Sequence, residues 1–329
     1  MSLMRAAVLA NYIEVTKQLG LRPEDHLRAV GLTPATIKTP DRLIASDAAV
    51  RLLENTAAHS GCMTLGLRMS EPRPMSQFGV VGLLLSQQPT LRDVLQMALK
   101  YLPLINESLA VRLEENRSTA LLREEVLTTV PMPQRQAVEL SMAANVKIVR
   151  TILGPDWHPQ RVYFRHAAPE SLELHQRIFR CRCEFSSDFN AMSFHARDLD
   201  AVNASADTMM AKYALGFVET LSGQSQTSVI TDVKRLIYLL LPLGRATIKQ
   251  VANSLTCSVR KLQQDLARAG ASFVAMLDEA RQERVCLYLE NPKFDLGHVA
   301  SLLGYTHQSS FTRWFIGRFG VSPSAWRKS

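Results

Sequence analysis

The chain has 329 residues, 47 % hydrophobic and 21 % charged, a balance that excludes a disordered or fibrous protein and allows two hydrophobic cores. Its net charge of +8 is unevenly placed: residues 226–329 hold 14 Lys and Arg against 7 Asp and Glu, whereas residues 1–225 hold 24 against 23. A basic third joined to a nearly neutral remainder points to a polyanionic partner for the basic part.

The opening residues lack the pattern of a secretory signal. The longest apolar runs, Phe78 to Leu85 and Leu236 to Leu243, fall far short of the ~20 residues that cross a bilayer. Five scattered cysteines do not form a disulfide framework, so the chain is expected in a reducing cytoplasm, away from membranes.

Apolar residues recur at helical spacing over 4–19, 46–59, 90–101 and 134–152. In the last of these, Ala137, Leu140, Ala144, Ile148 and Ile152 share a face. Phe78-Gly-Val-Val-Gly-Leu-Leu-Leu85 is apolar throughout and suits either ordinary core or the wall of a cavity. Leu109 to Leu113 and Ala120 to Val126 flank the turn-like Glu115-Asn-Arg-Ser118, which predicts a hairpin. Arg161 to His166 reads as a third strand, with further strands near Cys183 and Met192. The expectation is an α+β domain over residues 1–222, an antiparallel sheet with helices on it. A polar stretch without apolar period, residues 223–228, is the expected linker. Residues 229–329 carry only helical patterns and are expected to be all-α.

Within that last segment one layout occurs twice. Thr247 is placed to cap a helix burying Ile248, Val251, Ala252 and Leu255. After a tight turn Ser258 caps a second helix with Val259, Leu262 and Leu266 inward. Arg260, Lys261, Gln263 and Gln264 lie on its other faces. Leu296, Val299, Ala300 and Leu303 pattern another short helix. Gly304 permits the turn, and a helix from near His307 places Phe311 and Phe315 inward. Its other faces carry Gln308, Ser309, Thr312 and Arg313. Between the units Phe273 to Leu289 forms one long helix, with Leu277, Ala280, Arg284 and Leu287 along a side. These are two helix-turn-helix units, and reading helices that enter successive major grooves must lie about 34 Å apart. Arg presents a fork to guanine and Gln bridges two edge positions of adenine, which makes the outward side chains candidate base readers.

Residues 247–327 resemble the C-terminal module of the AraC/XylS family of bacterial regulators. The resemblance rests on Gly304-Tyr-Thr-His-Gln-Ser-Ser-Phe-Thr-Arg-Trp-Phe315 and Arg318-Phe-Gly-Val-Ser-Pro-Ser-Ala-Trp-Arg327. The first unit matches less closely, through Ala252, Ser258, Leu262, Gly270, Phe273 and Arg281. The resemblance implies DNA reading by Arg260, Gln263, Gln264, Gln308, Ser309, Thr312 and Arg313. The chain departs from the family where Gln264 replaces a usual Arg, where Asp265 follows it, and at Ile316 and Gly317, positions that are commonly basic. Upstream, Leu65-Gly-Leu67, Phe78-Gly-Val-Val-Gly82, Pro89-Thr-Leu-Arg-Asp93, Arg161 to Pro169 and Phe185-x-x-x-Phe-Asn190 resemble the arabinose-binding-like effector domain of one branch of that family. This implies a domain that senses a small molecule and helps to form a homodimer, in an activator that works with RNA polymerase on promoter half-sites.

Phe78, Tyr101, Arg165 and His166 are the candidate effector contacts. Arg161, Arg165 and His166 would suit an acidic effector, but they suit a charged strand end facing water better. Cys181-Arg-Cys183, with His166, His175 and His195 nearby, allows a zinc or redox site, although no C-x-x-C pair accompanies it. A DNA-repair or redox protein with the same reader is thus one alternative, and an effector-independent dimeric regulator is another. The common motifs of hydrolases, P-loop proteins, zinc proteases and dinucleotide enzymes are absent, so no catalysis, cofactor or metal is expected.

Overall fold

Strand β1 (Leu3–Arg5) pairs antiparallel with β2 (Leu43–Ala45), and between them lie a 3-10 turn, Ala6–Leu9, and helices α1 (Tyr12–Gln18), α2 (Pro23–Ala29) and α3 (Pro34–Ile37). This is a computed structural model, in which residues 2–71, 75–224 and 228–327 are described. The helix expected over 4–19 therefore begins only at Tyr12. Its first residues are drawn into the ladder, where the Arg5 N–H also donates to the Ile105 carbonyl at 2.9 Å, and Asn11 breaks the path in left-handed backbone (φ 67°).

The chain forms two units, Met1–Gln226 and Thr227–Ser329. In the first, α4 (Ser46–Ser60), α5 (Leu65–Ser70), α6 (Gly79–Ser86) and α7 (Leu91–Tyr101) precede the hairpin β3 (Leu109–Glu115) and β4 (Thr119–Val126). Asn116 makes the hairpin turn, because its side-chain oxygen accepts from the Ser118 and Thr119 N–H groups at 3.1 and 2.9 Å. Then come α8 (Arg135–Leu153), β5 (Arg161–Tyr163), α9 (Glu173–Phe179), β6 (Arg182–Glu184), β7 (Asn190–His195) and α10 (Thr208–Gln224).

The sheet order is β3-β4-β7-β5-β6. It is antiparallel except at its edge, where β5 and β6 run parallel because α9 is the crossover between them. The strand expected over 161–166 stops at Tyr163. Beyond it the Arg165 N–H turns to the Asn190 side chain at 2.9 Å instead of a ladder partner. Helix α8 packs against the sheet on one side and α4 and α5 on the other, so Val138, Met142, Val146 and Val149 are buried besides Leu140 and Ile148. It separates two hydrophobic clusters, one over the sheet and one among α1, α2 and α4.

Helix α10 runs to Gln224, covering the first two residues expected in the linker, and Ser228 already caps the next helix. Residues 225–227 of that linker lie outside the described residues. The second unit is all helix: α11 (Val229–Leu240), α12 (Ile248–Ser254), α13 (Val259–Arg268), α14 (Phe273–Glu290), α15 (Leu296–Leu302), α16 (Gln308–Phe319) and α17 (Pro323–Trp326). On α14 the buried side is Phe273, Met276, Ala280, Arg284 and Val285, whereas Leu287 of the expected stripe is 38 % exposed. The stripe is shifted because α14 meets α11 as well as α15, and so buries a broader arc than one bundle face.

Candidate nucleic-acid interface and effector cavity

Among the described residues every helix of the second unit except α16 starts on a side chain that accepts an otherwise unpaired backbone N–H. Thr247 caps α12, Ser258 caps α13 through the Lys261 N–H at 3.2 Å, Ser272 caps α14, Asp295 caps α15 through the His298 N–H at 2.7 Å, and Ser322 caps α17. Only α16 starts without such a bond, after His307. Helix α13 is anchored by Leu262 and Leu266, and α16 by Phe311 and Phe315, each with an exposure of 1 % or less.

With the cores superimposed in register, Leu262 and Leu266 take the places of Phe311 and Phe315. Arg260 then corresponds to Ser309, Gln263 to Thr312 and Gln264 to Arg313. Arg260, Lys261, Gln263, Gln264, His307, Gln308, Ser309 and Arg313 are exposed, and Thr312 is half-buried. The structure thus brings eight of the expected readers onto the two equivalent helices, seven of them exposed and Thr312 half-buried, with an exposed His307 just before the second. Their charges are not equally available. Asp265 takes the Lys261 ammonium at 2.7 Å and lies 3.6 Å from Arg268, so part of the first helix's positive charge is neutralised in place. Among the described residues Arg260 and Arg313 make no ion pair.

The residues that aim α16 were not singled out as positioning groups in the sequence. The Trp314 indole N–H donates to Asp278 on α14 at 2.5 Å, and Arg318 lies 3.8 Å from the same carboxylate. Arg281 donates to the Leu303 carbonyl at 2.9 Å and covers the Tyr305 ring at 4.2 Å, which ties the turn of the second unit to α14. Aromatic residues surrounded by charged ones in that stretch are the only sequence signal for these ties.

The two turns differ. Gly304 holds left-handed backbone at φ 72°, a conformation that costs glycine nothing. Thr256, at the equivalent place of the first unit, holds φ 51° with a β-branched side chain. That backbone costs roughly 1–2 kcal/mol for a non-glycine residue, against roughly 0.5–1 kcal/mol of chain entropy that glycine loses on folding. Thr256→Gly is therefore expected to raise the melting temperature of the reader by a few degrees. An unchanged or lower value in a calorimetric scan would mean that the threonine side chain makes a contact outweighing its backbone.

In the first unit an apolar cavity of about 110 Å³ is lined by the sheet, α4, α6, α7 and α8. Phe78 and Leu85 bound it from the glycine-containing apolar run, so that segment serves as cavity wall. Ala137, Leu140, Ala144 and Ile148, the expected face of α8, bound it opposite. The other three candidate effector contacts do not join Phe78 there. Tyr101 is buried in the same core cluster outside the cavity lining.

Arg165 and His166 instead belong to a polar cluster. Arg165 pairs with Glu125, and His166 lies 3.4 Å from Glu139, which also accepts from or pairs with His175 at 2.9 Å. The Arg135 Nε–H donates to His166 Nδ1 at 3.2 Å, and Phe164 stacks on that ring at 5.0 Å. Burial pushes His166 down to about 3, so it stays neutral at physiological pH.

Cys181 and Cys183 are half-buried free thiols, and the neighbouring Cys181 together with burial pushes the Cys183 thiol far above its ordinary range. Among the described residues no three His, Cys, Asp or Glu side chains are grouped as a metal ion requires. No described helix is long and apolar enough to cross a membrane.

Two equivalent helices with exposed hydrogen-bonding faces, held in one helical unit and attached to an α+β unit, define a DNA-binding transcription regulator of the double helix-turn-helix class. The chain belongs to the AraC family: residues 20–203 match the family model described as the arabinose-binding domain of AraC transcription regulator, and residues 251–329 match a helix-turn-helix domain. It is similar to the HTH-type transcriptional regulator VirS of Mycobacterium tuberculosis, 26 % identical over 99 % of this chain and 96 % of that one. It is also similar to an ornithine utilization regulator of Pseudomonas aeruginosa, 24 % identical over 96 % of this chain and 94 % of the other. A solved structure, the transcriptional regulator CdpR of Pseudomonas aeruginosa, aligns over 93 % of this chain and 96 % of its own at 19 % identity, with a TM-score of 0.47.

Proposed function

We propose that this chain is a cytoplasmic, non-enzymatic, effector-responsive activator that binds paired promoter half-sites as a homodimer and acts on RNA polymerase. In this reading Arg260, Lys261, Gln263, Gln264, His307, Gln308, Ser309, Thr312 and Arg313 face the DNA, with Arg313 and Gln263 reading bases. The observation that carries it is the pair of reading helices whose apolar faces are fully buried while their opposite faces make few internal bonds. The first unit senses through its apolar cavity. Helix α6 supplies Leu85 to the cavity wall, with Phe78 just before it, and packs against α10, the last helix before the reader. An occupant that shifts α6 therefore acts on α10.

Helix α10 also supports the dimer. Met210, Tyr213, Phe217 and Leu221 recur at spacings of three and four and are 42, 69, 59 and 38 % exposed, while Ala214 and Val218 pack inward. A continuous apolar stripe of this spacing fits a second copy of the same helix. Sedimentation of the full chain is expected to show a dimer, and Phe217→Glu is expected to weaken it at least tenfold with a matching loss of affinity for paired half-sites but not for a single half-site. A monomeric wild type, or a variant that dimerises unchanged, refutes this mode of assembly. Footprints confined to single half-sites would refute the paired reading.

A further inference from the structure

The walls of the cavity in the first unit carry no charge. Among the described residues 24 line it, and 20 of these are apolar, so its chemistry is set by hydrocarbon. The space exists because four lining positions hold alanine: Ala49 on α4, Ala98 on α7, and Ala137 and Ala144 on α8. A side chain that ends at Cβ leaves room where a leucine would close the core. At about 110 Å³ the cavity is several-fold larger than the ~15 Å³ that one water requires, and larger than the voids of an ordinary close-packed core.

The four polar lining residues already bond other protein groups. Asn106 Oδ1 accepts from the Ser108 N–H and O–H at 2.9 and 2.7 Å. Ser141 and Asn145 donate to the buried Glu124 carboxyl, which is not itself part of the lining, at 2.9 and 2.7 Å. A water held inside a protein makes about two to four hydrogen bonds, so these walls suit an apolar guest better than water. Each apolar atom brought against them gains dispersion contacts and leaves water at the same time.

We infer that the cavity takes an uncharged hydrocarbon group of about six non-hydrogen atoms, a size judged against an apolar cavity of ~150 Å³ that holds benzene. The inference rests on the sensing role proposed above and adds the ligand's chemistry. A carboxylate or an ammonium would give up its hydration with no lining charge to pair with it. A sugar would bring several hydroxyls to walls that hold few polar points, each engaged elsewhere. Although the domain matches the arabinose-binding model, the walls in this chain select hydrocarbon.

The test uses benzene, n-butyrate, n-pentylamine and L-arabinose on the full chain, by thermal shift and titration at pH 7. The first three are matched in non-hydrogen atoms, so charge is what separates them. Benzene is expected to raise the melting temperature and to bind at least about tenfold more tightly than either charged probe. Arabinose is expected to bind no better than the charged probes. Ala144→Leu extends a side chain into the space and is expected to abolish benzene binding while the circular dichroism of the wild type is kept. Tighter binding of butyrate, pentylamine or arabinose than of benzene overturns the inference. So does a benzene affinity unchanged in Ala144→Leu, or failure of benzene to bind the wild type. The wild-type comparisons decide the matter even if the Leu variant does not fold. Operator affinity, measured with and without benzene, is a separate readout: binding at the cavity without any change there refutes the sensing role while leaving the cavity chemistry standing.

Discussion

Arg313→Ala is expected to lower affinity for a selected operator by about 5- to 150-fold, the range that corresponds to the 1–3 kcal/mol of one bidentate base contact, while affinity for random DNA falls only about two- to threefold. The expectation follows from where the side chain stands. Phe311 and Phe315 fix α16 in the core, and position 313, two residues from each, points the other way. Among the described residues no carboxylate neutralises its guanidinium, so the fork is available to a guanine edge. Lys261, on the equivalent helix of the first unit, is the contrast: Asp265 already holds its ammonium at 2.7 Å. Lys261→Ala is accordingly expected to cost far less, and equally on all sequences. Competition binding against operator and random duplex separates the two cases. An equal loss on both duplexes for Arg313→Ala would assign that residue to a phosphate.

This difference between the two reading helices was partly legible in the sequence. Asp265 after Gln264 marked the first unit as electrostatically weaker, and the structure adds the mechanism, an ion pair from residue 261 to 265 that removes a cation from the exposed face. The reader as a whole was legible because its information is local. Caps at Thr247 and Ser258, apolar residues at i, i+3 and i+7, and a glycine at the turn each act within a dozen residues. What the local pattern could not show is how the units are held. The bonds from Arg281 to Leu303 and from Trp314 to Asp278 join residues 22 and 36 positions apart.

The first unit was less legible for the same reason. Its hairpin was readable, since Asn116 closes the turn locally. The first strand was not, because Leu3–Arg5 becomes a strand only by meeting Leu43–Ala45. Alternation in Arg161 to His166 suggested a longer strand than forms, since strand length depends on the partners β6 and β7. Arg165 and His166 were attractive as effector contacts by residue type, yet Glu125 and Glu139, distant in sequence, engage them. The Glu124 carboxyl escaped notice because an acidic residue in Arg-Glu-Glu reads as an exposed charge. Only the antiparallel register with β3, and the position of α8 above it, show that this glutamate lies inside.

That placement carries a large dependence on pH. In the unfolded chain the Glu124 carboxyl loses its proton near its ordinary value of 4.5, whereas in the folded chain it keeps it up to about 8. Below about 4.5 both states are protonated and the group adds no pH dependence. Between these values the folded state binds the extra proton, so stability falls as pH rises, and above about 8 the loss is complete. Glu54, raised to about 7 by burial although it accepts the Gln136 N–H at 2.7 Å, acts in the same direction. The stability of the first unit in the full chain is therefore expected to drop between pH 5 and pH 8, by on the order of a few kcal/mol. Glu124→Gln replaces the acid with a neutral group of the same shape that still accepts from Ser141 and Asn145. It is expected to leave stability near pH 5 almost unchanged, to exceed the wild type at pH 8, and to flatten much of the slope. Denaturant titrations across that range measure it directly. A variant with the wild-type slope would show that Glu124 is already ionised in the folded chain.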